Sequence, residues 1–208
     1  MPGAARIGEV ITLGIETARA DPSLRLLLRA ATQEVHDRLH RHAGFAAIQD
    51  ATIQSADYQR LLARLYGFYL PFEAAAGIGA ERSTWLAADL AALGAPRPLA
   101  ALPRCPHLPW LASAHSRLGA RYVVEGSALG GRELARSLDR LLGTDAMAGR
   151  RFFVGRGSGT GEAWRDYLAQ LSAAPPEPAA RAEIISGAVA TFAAFEDWLD
   201  GWSSLPNG

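Results

Sequence analysis

Apolar residues recur along this chain at intervals of three and four, the spacing that gathers side chains on one face of a helix. Leu24, Leu27, Leu28, Ala31, Val35 and Leu39 trace the first stripe, which ends near Arg41. Asp21-Pro22-Ser23 ahead of it supplies a capping residue and a proline suited to a first turn. A second stripe begins near Ser55 and carries Tyr58, Leu61, Leu62, Leu65, Phe68, Tyr69 and Phe72. Pro71 either kinks this helix or marks a break that Gly77 completes. A third helix is predicted from about Ser83 to Leu93, with Trp85, Leu86 and Leu90 inward. Gly94 to Pro109 holds five prolines and reads as a connecting loop.

The next helix is the informative one. Leu111, Ala114, Leu118 and Tyr122 lead into it, and Leu134, Leu138, Leu141 and Leu142 lead out, giving a span from about Trp110 to Leu142. In its middle stand Gly126, Gly130 and Gly131. Each interior glycine costs about 1 kcal/mol relative to alanine. Two structures account for them: a helix end, a turn and a new helix, or a bent helix whose bare backbone forms one wall of a ligand slot. A Gly/Arg-rich loop follows (Gly143 to Gly161), then a short helix through Trp164, Tyr167, Leu168 and Leu171. After a proline-rich turn (Ala173 to Pro178), the last helix uses Ile184, Ala188, Phe192, Phe195, Leu199 and Trp202.

No segment alternates as a half-buried strand does. Arg151 to Val154 is the one strand candidate, and it is very short. The pattern predicts an all-α fold: one domain of about seven helices over residues 22–202, an N-terminal arm at 1–21 and a tail at 203–208.

Composition narrows the function. With 208 residues the chain forms one domain with a sizeable core, and 49% apolar residues suit that. Lysine plus arginine balance aspartate plus glutamate at 21 each, so no basic footprint argues for nucleic acid. The single cysteine, Cys105, excludes an internal disulfide and reads as an inert loop thiol in a reducing compartment. No run is long enough to span a membrane, and Arg6, Glu9, Glu16 and Arg19 break up any signal-peptide core. A soluble, cytoplasmic protein is expected.

Candidate chemistry sits on the first helix. His36 there reads as a structural histidine or a ligand, and Arg29 strengthens the second reading. Seven residues make nearly two turns, so both side chains share a face about 10 Å apart along the axis. An imidazole on a metal with a cation at that distance suits a planar metallocycle with carboxylates at its edge. His36 and His40 are one turn apart, as in some zinc sites. Asp37 stands where the HExxH motif has glutamate, however, and no third ligand is evident. Gly155 to Gly161 has the look of a phosphate loop, but without βαβ units it reads better as a flexible loop with Thr160 near a helix start.

Ala31-Thr32-x-x-Val35-His36-x-Arg38-Leu39 and Glu125-Gly126-Ser127-x-Leu129-Gly130-Gly131 resemble the proximal and distal helix motifs of the haem oxygenases. Gly155-x-Gly157 followed by Gly161-x-x-Trp164 is similar to the bacterial branch, which includes members paired with bacteriophytochromes. The resemblance covers about residues 24–202. It implies His36 as the proximal iron ligand, Gly126, Gly130 and Gly131 as distal glycines, and Arg29 and Arg165 as partners of the haem propionates. It further implies haem b as both substrate and cofactor, dioxygen as co-substrate, and biliverdin, CO and ferrous iron as products. An external electron donor such as a ferredoxin is implied too, with a bacteriophytochrome as a candidate partner.

Two positions depart from the family pattern. Ser127 stands where many members have aspartate, so proton delivery calls for another network. His40 stands where many have a carboxylate that orients the proximal imidazole. A haem carrier or sensor on the same fold is the alternative these departures raise.

Overall fold

Ser23 caps the first helix, its hydroxyl accepting the Leu26 N–H at 3.4 Å. The computed structural model describes residues 23–144 and 146–202, so the expected arm and tail lie outside the described residues. Among those described, nine α-helices follow in chain order: α1 (Leu24–His40), α2 (Ala43–Gln49), α3 (Ser55–Ala76), α4 (Glu81–Ala92), α5 (Ala114–Ser137), α6 (Asp139–Leu142), α7 (Arg151–Val154), α8 (Thr160–Ser172) and α9 (Pro178–Leu199). The architecture is all-α, without strands among the described residues. More helices than the expected seven or so are present because short ones, α2, α6 and α7, show no periodic stripe of their own.

Arg151 to Val154, the one short strand candidate, is helix α7, in keeping with the all-α fold expected. Its aromatic and β-branched composition favours a strand, but Asp89 on α4 decides otherwise. The Asp89 carboxylate accepts the Arg151 N–H at 2.7 Å and the Phe152 N–H at 2.8 Å, satisfying two of the orphan donors at a helix start. Tyr58 fixes the preceding turn by donating to the Gly149 carbonyl at 2.6 Å.

Pro71 does not break α3, which runs on to a left-handed Gly77 cap. A helical proline leaves the carbonyl four residues earlier without its donor. Here that carbonyl belongs to Gly67, and the Cys105 N–H takes it at 2.9 Å. The proline-rich loop thus docks backbone to backbone on α3. Cys105 is buried there, and burial pushes its thiol pKa up, in keeping with an inert role.

Helix α5 does not stop at its glycines. It stays helical to Ser137 and yields to α6 only at Leu138, so the turn-and-restart structure is excluded. Its deepest face is not the leucine stripe but Ser116, Gly119, Ala120, Val123 and Val124. Small residues let α9 approach closely. A β-carbon on Gly119 would lie 2.8 Å from the Ile184 carbonyl carbon and 3.0 Å from the Ala188 nitrogen. One on Gly187 would lie 2.7 Å from the Ser116 α-carbon. This crossing, with α1 along the other side of α9, fixes where α1 and α5 stand relative to each other.

Candidate functional site

Helices α1 and α5 flank a cleft that α3, α7 and α9 close from behind. His36 and His40 face it from α1, and Gly126, Ser127, Gly130 and Gly131 face it from α5. Its floor is aromatic: Phe68 packs edge-on to Phe195 with ring centres 4.9 Å apart, and Tyr69 meets Phe152 at 5.2 Å. Phe192 stands perpendicular to His36 at 6.4 Å and bears on that ring from α9.

The three glycines do different things. A β-carbon on Gly130 would meet nothing within 4 Å, so its bareness answers no protein neighbour and keeps the cleft open. On Gly126 it would meet only the Trp164 ring, at 3.7 Å, an ordinary contact. Gly131 is buried, and a β-carbon there would lie 2.7 Å from the Phe153 carbonyl oxygen, so α7 itself requires that glycine. The opening between imidazole and bare helix fits a flat ligand with apolar faces.

Beside the α5 glycines lies a polar network, part of it lining the cleft, that sequence patterns did not show. The Tyr69 phenol is buried and faces Ser127; burial pushes its pKa up, so it holds its proton at neutral pH. Ser127 donates to the Val124 carbonyl at 3.2 Å, which leaves its oxygen free to accept. Glu125, buried, is held between two guanidiniums, Arg82 at 3.1 Å and Arg156 at 3.1 Å. Arg156 also binds Glu81, through Nε at 3.0 Å. Glu73 accepts the backbone N–H groups of Arg82 at 2.8 Å and Ser83 at 3.1 Å, which seats the start of α4. The loop around Arg156 is therefore tied down by ion pairs, contrary to the flexible loop expected. Thr160 does begin the helix after it.

Arg29 and Arg165 are exposed, and neither lines the cleft. Arg29 meets the chain just outside that lining. Together with Arg25 it stands near the Tyr122 phenol, one turn before Gly126. Trp164, the neighbour of Arg165, packs on Tyr122 with ring centres 5.8 Å apart. Tyr122 does not line the cleft; Gly126, one turn further on, does.

His36 Nε2 lies 3.3 Å from His40 Nε2, and its Nδ1 lies 3.6 Å from an Asp37 carboxylate oxygen. Among the described residues no three histidine, cysteine or acidic side chains gather as a metal site. A metal held here would need most of its ligands from a group that brings its own.

Fold and cleft together define a class: an all-helical protein with an aromatic-floored cleft between two helices, imidazoles on one wall and bare glycine backbone on the other. Residues 23–201 match the family model described as Heme oxygenase, and the chain belongs to that family. It is 40% identical over 111 residues to a heme oxygenase of Xanthomonas campestris pv. campestris (strain 8004). That match covers 53% of this chain, which spans 62% of the relative's length. Among solved structures, the heme oxygenase of Leptospira interrogans aligns with a TM-score of 0.69 at 18% identity, over 86% of this chain and 98% of that one. Heme oxygenase-1 of the cyanobacterium Synechocystis, solved in complex with heme, aligns with a TM-score of 0.66 at 15% identity, over 88% and 93%. The NO- and CO-bound enzyme of Neisseria meningitidis aligns with a TM-score of 0.67 at 24% identity, over 89% and 94%.

Proposed function

We propose that this chain binds haem in the cleft, with His36 Nε2 on the iron, and opens the ring oxidatively to biliverdin, CO and ferrous iron. The observation that carries this reading is the opposition of His36 on α1 to the bare backbone of Gly126 and Gly130 on α5, across an aromatic floor. Family membership supports it. The bound haem supplies the iron at which dioxygen is reduced, and the ring that is cut.

The chain's own residues do the rest. The open backbone at Gly126 and Gly130 would let a haem come close to peptide groups of α5. Phe68, Phe192 and Phe195 exclude bulk water. On the α5 side, Ser127 accepts from Tyr69, and the pair holds a proton next to the open face. This uncharged arrangement does the work that an aspartate performs in relatives. Glu125, fixed between Arg82 and Arg156, keeps that stretch of α5 in register.

Arg29 and Arg165 would hold the propionates through charge-assisted hydrogen bonds, with the Tyr122 phenol near Arg29 as a further donor, and so would orient the bound haem. Electrons come from an external donor such as a ferredoxin, and a bacteriophytochrome is a candidate recipient of the product. No helix of the described residues is long and apolar enough to cross a membrane, which fits work in the cytoplasm.

Tyr69→Phe removes the hydroxyl that faces Ser127 and leaves the ring packing in place. Haem affinity should stay within about twofold, while turnover falls by roughly tenfold, about 1.4 kcal/mol of barrier. Equal rates for the variant and the parent chain would remove Tyr69 from proton handling. The activity itself is tested by mixing purified protein with haem and ascorbate in air. Loss of the Soret band with growth of a biliverdin spectrum is the expected result. A stable haem complex under the same conditions would mark a carrier instead.

A further inference from the structure

We infer that His40 is a second axial ligand in waiting: when His36 is lost or displaced, the His40 imidazole takes the iron from the same face of the cleft. This inference rests on the haem-binding reading above and concerns only which imidazole of this chain is used.

The two histidines are one turn apart on α1, a rise of about 6 Å along the axis. Their rings nevertheless converge, with centres 4.5 Å apart and Nε2 atoms 3.3 Å apart. Both line the cleft. At 3.3 Å one nitrogen must present its N–H and the other its lone pair, because two lone pairs or two N–H groups would repel. A metal needs that same lone pair on a neutral imidazole. The contact therefore ties up the coordinating nitrogen of His36 in the haem-free chain, and haem entry must break it. Once it is broken, two metal-binding nitrogens are left a short distance apart on one wall.

The surroundings rank them. Phe192 stands against the His36 ring, and the Asp37 carboxylate lies 3.6 Å from its Nδ1. Both favour a fixed, electron-rich His36. The only ring or hydrogen-bond partner recorded for His40 among the described residues is His36 itself. His40 is exposed and can swing without disturbing the core. His36 is therefore first choice and His40 the reserve. Relatives with a carboxylate at this position would have no such reserve.

The test uses haem complexes of the full chain, its His36→Ala and His40→Ala variants and the double variant, read by the iron–histidine stretch in ferrous resonance Raman and by haem titration. The single variants alter exposed side chains, and circular dichroism melts check that all four proteins fold. The parent chain and His40→Ala should show the stretch. His36→Ala should also show it, at a shifted frequency, with haem binding weakened by less than about tenfold. The double variant should lose the stretch and bind at least about tenfold more weakly than His36→Ala. If His36→Ala lacks the stretch and matches the double variant, His40 is no ligand and the inference fails, with the haem-binding reading untouched. A parent chain without the stretch would overturn both.

Discussion

Gly130→Leu should give a chain that folds at least as well as the parent and binds haem poorly. Nothing in the protein lies within 4 Å of the added β-carbon, so no neighbour has to move. Replacing an interior helical glycine with leucine should contribute roughly 0.5–1 kcal/mol of stability. The same side chain would project from a wall of the cleft, into the space proposed for the haem. We expect haem affinity to fall by at least about tenfold, or 1.4 kcal/mol, and turnover to fall with it. Thermal melting and a haem titration on one preparation check both halves. Higher stability with unchanged haem affinity would mean that the ring does not lie against this part of α5. A loss of stability would mean that Gly130 serves packing.

Gly119→Ala should do the reverse, striking the fold itself. Its β-carbon would press on the Ile184 peptide, and neither α5 nor α9 can yield without separating along the crossing. Overpacking against side chains costs about 1–3 kcal/mol, and backbone offers less relief, so about 3 kcal/mol or more is expected. That is a large share of the roughly 5–15 kcal/mol that holds a domain together. Chemical denaturation should show the midpoint falling steeply, or no soluble protein. A variant within about 0.5 kcal/mol of the parent would show that the helices are less close than described.

These two glycines are separated by only three helical turns, and hydrophobic periodicity alone does not distinguish them. Both interrupt an apolar stripe and carry the same propensity penalty. Only the neighbour brought by α9, from far along the chain, makes one structural and leaves the other facing open space. For the same reason the stripes of α3 and α9 were legible in one dimension, since each buries large residues on one side. Helix α5 was not, because it buries Gly119 and Ala120 where a leucine stripe was expected. Helix α7 was not legible as a helix because its start is set by Asp89, 62 residues earlier.

The site divides along the same line. His36 and the α5 glycines carry local motifs, so they could be named from the chain alone. Tyr69, Arg82 and Arg156 could not, because each acquires its role from a partner on another helix. Arg29 and Arg165 were expected at the ring's edge. The structure leaves both exposed outside the cleft wall, with Tyr122, also outside the lining, near Arg29.

The central claim is that a haem ring lies between the α1 imidazole and the uncovered peptides of α5. A crystal of the haem complex, with the metal located by its anomalous signal, tests this most directly. The account predicts the iron bonded to His36 Nε2 and the ring face in contact with the backbone at Gly126 and Gly130. Iron bound anywhere else, or a ring held away from α5, would contradict it.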